Sequence, residues 1–270
     1  MLLARVKTAV VAIVAILLIL FVLPSWVIAP AILLVIAGAA WEWSVLCRLH
    51  TTSVRLAYVV TVVAGCAALW PGIDLIPTTV LLGVAGAWWC VALLFVLRYP
   101  RSVSRVTAMA AGLLVLLPAF FAMVALARYP ATGNITGPTL LLFVLVTIWA
   151  SDVGGYFAGR YLGKRKLAPA VSPKKTWAGV VGGLVLSAVI GFAGSAYFGL
   201  AWYRLVPLCF ATGAIAVLGD LTVSLFKREA GVKDSGSLFP GHGGILDRID
   251  SIAAATPLFV AGIVMGHGAW

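Results

Sequence analysis

The sequence predicts an all-α, polytopic integral membrane protein with about nine transmembrane helices. Of its 270 residues, 63% are hydrophobic and only 10% are charged, whereas about a quarter of the residues in a soluble globular domain are charged. Residues 8–41 contain no charged side chain, and this stretch is too long for one helix across a hydrocarbon core of about 30 Å. The composition therefore fits a chain whose solvent is a lipid bilayer.

Nine charge-poor segments give the expected positions of the helices. They lie near residues 6–23, 26–46, 54–71, 76–97, 106–126, 138–159, 178–199, 204–226 and 252–269. Pro24 and Pro30 would mark a hairpin between the first two segments. The first segment follows Arg5 and Lys7 as a signal peptide would, but its apolar run continues past signal length and further apolar segments follow it. We interpret it as a retained transmembrane helix.

The positive charges predict the orientation of these helices. If the N-terminus is cytoplasmic, all 19 Lys and Arg residues except Arg128 and Arg204 fall on the cytoplasmic side. Cytoplasmic loops are enriched in positive charge, so this distribution supports a cytoplasmic N-terminus, an external C-terminus and an active site at the cytoplasmic face of the cell membrane. It also explains the net charge of +11, and we expect no nucleic-acid partner.

The acidic residues divide the chain into two parts. Glu42 and Asp74 lie in the first half, and the others lie in the second half, at Asp152, Asp220, Glu229, Asp234, Asp247 and Asp250. We therefore expect a catalytic domain, with its polar loops, at residues 136–270. Residues 1–135 would supply transmembrane helices for packing and for contact with lipid or with another subunit.

Two predicted helices each place polar residues on one face. The first contains Asp152 and, two turns later, Arg160. An ionised residue at membrane depth is costly and usually faces a polar cavity or a partner, and an ion pair with Arg160 or another cation is the structural alternative for Asp152. The second face combines a carboxylate, a hydroxyl and two cations, at Asp220, Ser224, Lys227 and Arg228. A bound metal is one way to stabilise Asp220 there.

The loop between these two helices contains residues suited to phosphate oxygens. Pro173 restrains the backbone between Ser172 and a pair of lysines, Lys174 and Lys175. The earlier basic cluster at residues 164–166 is explained by membrane orientation, because orientation signals and phosphate-binding loops share a composition. We interpret the second cluster as a phosphate-binding segment.

The segment 233–251 is rich in glycine, which permits close backbone approach to a ligand. Its candidate functional residues are Lys233, Asp234, His242, Asp247, Arg248 and Asp250. We expect His242 to donate a hydrogen bond or contact a phosphate. The structural alternative is a flexible loop whose aspartates balance Lys233 and Arg248, with His242 in a purely structural role.

Carboxylates and cations together suit phosphoryl or nucleotidyl transfer. Magnesium prefers oxygen ligands, binds through one or two carboxylates together with substrate phosphates, and polarises the phosphorus under attack. Lysine and arginine neutralise the remaining phosphate charge and stabilise the leaving group. The second half of the chain therefore contains the residue types that this chemistry needs.

Residues 224–250, SLFKREAGVKDSGSLFPGHGGILDRID, closely resemble the signature of the phosphatidate cytidylyltransferases, also called CDP-diacylglycerol synthases. Residues 152–164, DVGGYFAGRYLGK, and 172–179, SPKKTWAG, are similar to the same family. The front half resembles that family only in its multispan character. The chain departs from the family at Ala178, where a glutamate is common, so the role of that acid is absent here or supplied elsewhere.

The resemblance implies a reaction of CTP with phosphatidate that gives CDP-diacylglycerol and pyrophosphate and requires magnesium. The lipid phosphate would attack the α-phosphorus of CTP without a covalent enzyme intermediate. Asp220 and Asp247 are expected as principal metal ligands, because both lie on helical segments at the cytoplasmic edge. The second choices are Asp250, Asp234 and Asp152. A second cation is a further hypothesis, by analogy with two-metal sites.

The resemblance also implies roles for the cations. Lys174 and Lys175 are candidates for binding the triphosphate or the leaving pyrophosphate, and Ser224 would assist near Asp220. The candidates for the phosphates of either substrate are Lys227, Arg228, Lys233 and Arg248. Small residues on the predicted helices, together with the family, make a homodimer an expectation.

Two alternatives remain open. A CTP-dependent membrane enzyme with another lipid acceptor, such as an isoprenoid kinase or an archaeol-type cytidylyltransferase, would use similar chemistry. A transporter of anionic phosphate compounds would also place Asp and Arg in the membrane, but it predicts charges on both sides of the midplane. Here the charges gather at one face, and the long signature argues against the kinases.

Overall fold

The computed structural model describes residues 2–70, 78–100, 102–236 and 243–265, which form nine α-helices and one two-stranded sheet. In chain order these are α1 Leu2–Phe21, α2 Ile28–Leu46, α3 Thr52–Leu69, α4 Thr78–Leu97, α5 Arg105–Ala127, α6 Gly137–Leu162, β1 Lys166–Ala168, β2 Ser172–Thr176, α7 Trp177–Phe198, α8 Trp202–Glu229 and α9 Leu246–Met265. A short 3-10 helix, Ser25–Val27, precedes α2. The predicted helical architecture is confirmed.

Among the described residues, five helical segments are long and apolar enough to cross a membrane, namely Ser25–Leu46, Arg105–Ala127, Gly137–Leu162, Trp177–Phe198 and Trp202–Glu229. Shorter apolar helices cover Ala9–Phe21, Thr52–Ala68 and Leu82–Leu97. The protein is therefore a mainly helical membrane protein. The full set of nine crossings and the orientation of the termini stay predictions.

The segment between α6 and α7 is a β-hairpin, a local element that the sequence analysis did not predict. Strands β1 and β2 pair antiparallel, with Lys166 opposite Thr176 and Ala168 opposite Ser172. The sequence did not reveal these strands, because runs of three and five residues in a charged segment are too short for a clear alternating apolar pattern. The hairpin runs directly into α7, since the Thr176 side chain accepts a hydrogen bond from Gly179 N over 3.1 Å. This junction fixes β2 beside the helical bundle.

The helices pack around α5, which contacts α2, α3, α4, α6 and α9. Its side chains Phe120 and Phe121 are fully buried, and Trp43 of α2 donates its indole N–H to Ala108 O over 2.9 Å. Helix α9 in turn packs between α5 and α8 and also contacts α2. The first half of the chain therefore lies directly against the helices that contain the predicted site.

The α6–α7 interface depends on glycine, as the small residues of α7 predicted. A Cβ atom at Gly183 would lie 2.7 Å from Ser151 O, so the backbones approach too closely for any side chain. We expect Gly183→Ala to lower the free energy of unfolding by about 1–3 kcal/mol through overpacking. Gly86→Ala on α4 is the matched control, since a Cβ there meets nothing within 4 Å. Thermal unfolding in detergent compares the two variants, and equal midpoints would contradict the close packing.

Candidate active site

One face of α8 contains the polar residues that the helical spacing predicted. Ser224 Oγ donates to Asp220 Oδ1 over 3.1 Å, one turn apart. Further along the same helix, Lys227 is buried although it is charged, and Arg228 Nε donates to Val171 O in the hairpin turn over 3.3 Å. Arg228 therefore ties α8 to the hairpin, while Asp220 and Lys227 contact the other candidate residues.

The hairpin presents Lys175, and not Lys174, to the carboxylate of Asp220. Lys175 Nζ lies 2.7 Å from Asp220 Oδ2 and 3.5 Å from Val217 O. Successive residues of a strand point to opposite faces, so Lys174 is exposed on the other side of β2. Ser172 begins the same strand, where it pairs with Ala168. The strand thus separates two lysines that the sequence treated as one pair.

Asp247, in the first turn of α9, is held by donors on both of its oxygens. Oδ1 accepts from Lys227 Nζ over 2.6 Å, and the two side chains are only 12% and 10% exposed. Oδ2 accepts from Ser235 N over 3.0 Å and from Gly244 N over 3.1 Å, with Ser235 Oγ also 3.0 Å away. Burial raises the pKa of the Asp247 carboxyl, but these hydrogen bonds outweigh burial and hold that pKa below its ordinary value. Asp247 is therefore an ionised carboxylate at neutral pH.

Asp220 lies within electrostatic range of two carboxylates from other helices. The charge of Asp220 on α8 acts on Asp152 of α6 and on Asp250 of α9. Asp250 is 7% exposed, and its Oδ1 accepts from Ser251 N over 2.7 Å. Lys175 offsets part of the negative charge on both neighbours. The arrangement concentrates negative charge where a cation could compensate it.

The donor chemistry of this cluster fits magnesium in part. Across residues 2–70, 78–100, 102–236 and 243–265, no three His, Cys, Asp or Glu side chains are close enough to hold a metal by themselves. Magnesium commonly uses only one or two carboxylates and completes its shell with water and substrate phosphates. The residue types of this cluster are therefore those that a magnesium site completed by a nucleotide would use.

The remaining predicted residues have other surroundings in the described part of the chain. Arg160 donates to the Tyr156 hydroxyl over 2.7 Å, which gives it a partner other than Asp152. Arg248 is exposed in the first turn of α9, and its charge acts on Asp152. Lys233 and Asp234 are exposed after α8. His242 lies outside the described residues.

Glu42 is a site-adjacent residue that the sequence analysis missed. This carboxylate of α2 is 6% exposed and accepts from Ile245 N and Leu246 N, each over 2.9 Å. Ser235 Oγ donates to it over 2.7 Å. The available signal was one carboxylate in an apolar helix, which is costly unless it has partners.

A second carboxylate also joins the two halves of the chain, at the end of α8. Glu229 Oε2 accepts from Val103 N over 3.0 Å and lies 3.4 Å from an Arg48 guanidinium nitrogen. The same arginine donates to Glu229 O over 2.8 Å. This contact fastens α8 to the loops that follow α2 and precede α5.

Comparisons with known proteins show the family to which this chain is similar. The model of the cytidylyltransferase family matches residues 3–265. A Haemophilus influenzae protein named phosphatidate cytidylyltransferase is 41% identical, over 96% of this chain and 97% of its own. A Pseudomonas aeruginosa protein of the same name is also 41% identical, over 84% of each chain. The similarity therefore extends across the first half of the chain, beyond the motifs of the second half.

Proposed function

Because the chain belongs to the cytidylyltransferase family, we propose that it joins CTP to phosphatidate to give CDP-diacylglycerol and pyrophosphate. The observation that supports this most directly is the meeting of lysines and aspartates from β2, α8 and α9. Lys175 forms an ion pair with Asp220, and Lys227 forms one with Asp247. Each proposed metal carboxylate therefore has a cation beside it. Phosphate transfer needs both charges in one place.

Magnesium is the proposed cofactor, held by Asp220 and Asp247 with Asp250 next to them. When bound, it would polarise the α-phosphorus and neutralise phosphate charge. Lys175 and Lys227 occupy oxygens of the first two carboxylates. These lysines would turn toward the substrate phosphates when the carboxylates take a cation, and Ser224 would keep Asp220 oriented. Asp152 and Asp250 are the proposed ligands of a second cation.

The proposed chemistry is direct displacement. A phosphate oxygen of phosphatidate attacks the α-phosphorus of CTP, the bond from that phosphorus to the bridging oxygen breaks, and pyrophosphate leaves. Lys175 and Arg228 lie on the hairpin side of α8, where they would neutralise the leaving group. The remaining cations, Lys174, Lys233 and Arg248, would bind the phosphates of the two substrates. The residues that would assist this binding are Ser172, Asp234, His242 and Arg160.

We also propose that the site faces the cytoplasm. Nine crossings with the N-terminus inside would place the hairpin and the end of α8 on the side where CTP is found. The distribution of Lys and Arg supports this orientation. Residues 1–135 would then supply packing, lipid contact and the surface of a homodimer, and residues 136–270 the catalytic domain.

An acceptor assay tests the proposed function. Detergent-purified protein receives CTP and either phosphatidate, an isoprenoid alcohol or archaeol phosphate, with and without magnesium. We expect magnesium-dependent pyrophosphate release with phosphatidate only. Turnover of the isoprenoid alcohol, with release of CDP, would identify a kinase and contradict the proposal. Release with archaeol phosphate alone would change the lipid substrate but keep the reaction.

The two lysines of β2 should differ in their effect on turnover. We expect Lys175→Ala to lower kcat/KM by about 100-fold, since removing one preorganised donor at a developing charge has an effect of this size. Lys174→Ala should lower it by less than about tenfold, because an exposed charge is screened by solvent. Equal losses of kcat/KM in the two variants would show that the face of β2 on which each lysine lies does not determine its role.

A further inference from the structure

We propose that Glu42 is a positioning residue for the reaction, acting through the N-terminal end of α9. This inference rests on the proposed function, because α9 contains Asp247 and Asp250. Glu42 belongs to α2, in the half of the chain to which we assign packing and contact. Its carboxylate reaches across to the segment that joins α8 to α9.

The first observation is the way in which α9 begins. Backbone N–H groups in the first turn of a helix have no partner within the helix, and the helix dipole favours a negative charge there. Ile245 N donates to Glu42 Oε1 and Leu246 N to Glu42 Oε2, each over 2.9 Å. A carboxylate from another helix thus caps α9 directly before Asp247. The position of the Glu42 carboxylate therefore sets where the first turn of α9 can lie, and with it Asp247 and Asp250.

The second observation is a serine shared between two carboxylates. Ser235 Oγ lies 2.7 Å from Glu42 Oε2 and 3.0 Å from Asp247 Oδ2. A hydroxyl has a single proton, and the shorter distance assigns it to Glu42. Asp247 keeps the backbone N–H groups of Ser235 and Gly244. Glu42 therefore determines which donors remain for Oδ2 of Asp247, while Oδ1 of the same carboxylate faces Lys227.

The third observation is the absence of space around this carboxylate. A Cβ atom at Gly236 or at Gly244 would clash with the Glu42 side chain. These glycines lie on either side of residues 237–242, which fall outside the described residues. The backbone therefore approaches Glu42 from both flanks of that segment. A carboxylate suits this position because both of its oxygens accept hydrogen bonds. The three donors that point at it are Ser235 Oγ, Ile245 N and Leu246 N.

The test compares Glu42→Gln with Glu229→Gln in the purified full-length protein. Both carboxylates join the two halves of the chain, but the partners of Glu229 are Arg48 and Val103. Turnover is measured over a range of CTP and phosphatidate concentrations, together with thermal unfolding. Hydrogen exchange of the Ile245 and Leu246 amides, without magnesium or substrate, provides a readout that does not depend on activity.

Glu42→Gln turns one acceptor oxygen into an NH2 group that faces backbone donors. We expect kcat to fall by about 10- to 100-fold, while KM for CTP stays within about threefold of the parent value. A loss of this size is expected when a reacting group is displaced by about 1 Å. The two amides should exchange faster than in the parent. Glu229→Gln should lower the unfolding midpoint and leave kcat and both amides unchanged.

Ser235→Ala is the second variant, and it removes only the shared hydroxyl. It tests the positioning role of Glu42 if Glu42→Gln does not fold. It should lower kcat in the same direction, by about threefold to tenfold. Parent-like kcat in Glu42→Gln, or in a folded Ser235→Ala, would overturn the inference and leave Glu42 a packing contact. A parent protein without turnover would instead contradict the proposed function and remove the inference with it.

Discussion

Asp220→Asn is expected to lower kcat for pyrophosphate release by about 1,000-fold or more. Asp220 is the carboxylate on which the proposed cluster converges, because it contacts Lys175 and Ser224 and acts electrostatically on Asp152 and Asp250. A bound cation supplies several kcal/mol of charge stabilisation, and each ~1.4 kcal/mol corresponds to a factor of ten in rate. Asparagine keeps the shape of the side chain but removes its charge.

The measurement is steady-state turnover with CTP, phosphatidate and saturating magnesium, alongside thermal unfolding. The Asp220 side chain is partly exposed, so we expect the unfolding midpoint to change little while activity is lost. A folded Asp220→Asn protein with activity within tenfold of the parent would remove Asp220 from the metal site.

Asp247→Asn is expected to lower both stability and activity. Its partner Lys227 is nearly buried, and removing one member of a buried ion pair leaves an uncompensated charge at a cost of about 3–5 kcal/mol. The change also removes a proposed metal ligand. We therefore expect a lower unfolding midpoint together with undetectable pyrophosphate release, in contrast to the stable but inactive Asp220→Asn.

A double variant separates the two contributions of Asp247. Replacing Lys227 by glutamine together with Asp247→Asn removes the unpaired charge, so part of the lost stability should return. Activity should stay absent, because both the carboxylate and the cation are missing. Recovery of activity together with stability would mean that Asp247 supports the fold alone.

The helical part of the fold could be predicted because charge is excluded from apolar helices. The uncharged runs located each helix, and the spacing of Asp220, Ser224 and Lys227 correctly placed them on one helix. The hairpin could not be predicted in the same way, since β1 and β2 have only three and five residues and lie in a charged segment. The hairpin nevertheless distinguishes the two lysines, because Lys175 contacts Asp220 while Lys174 is exposed.

The acidic residues of the second half could be predicted as site candidates, but their partners could not. Lys227 and Asp247 are far apart in sequence, and their contact depends on how α9 packs against α8. Glu42 is separated from Leu246 by most of the chain. An isolated carboxylate in an apolar helix indicates that a partner exists, but only packing identifies that partner. Ser235 was missed because a loop serine has many structural roles.

The position of the transferred phosphate tests the central proposal most directly. Purified protein is incubated with phosphatidate, magnesium and CTP labelled with radioactive phosphorus at either the α or the γ position. Nucleotidyl transfer predicts that the α-label enters the lipid and that the γ-label leaves as pyrophosphate. Entry of the γ-label into the lipid would show phosphoryl transfer by a kinase, and it would contradict the account.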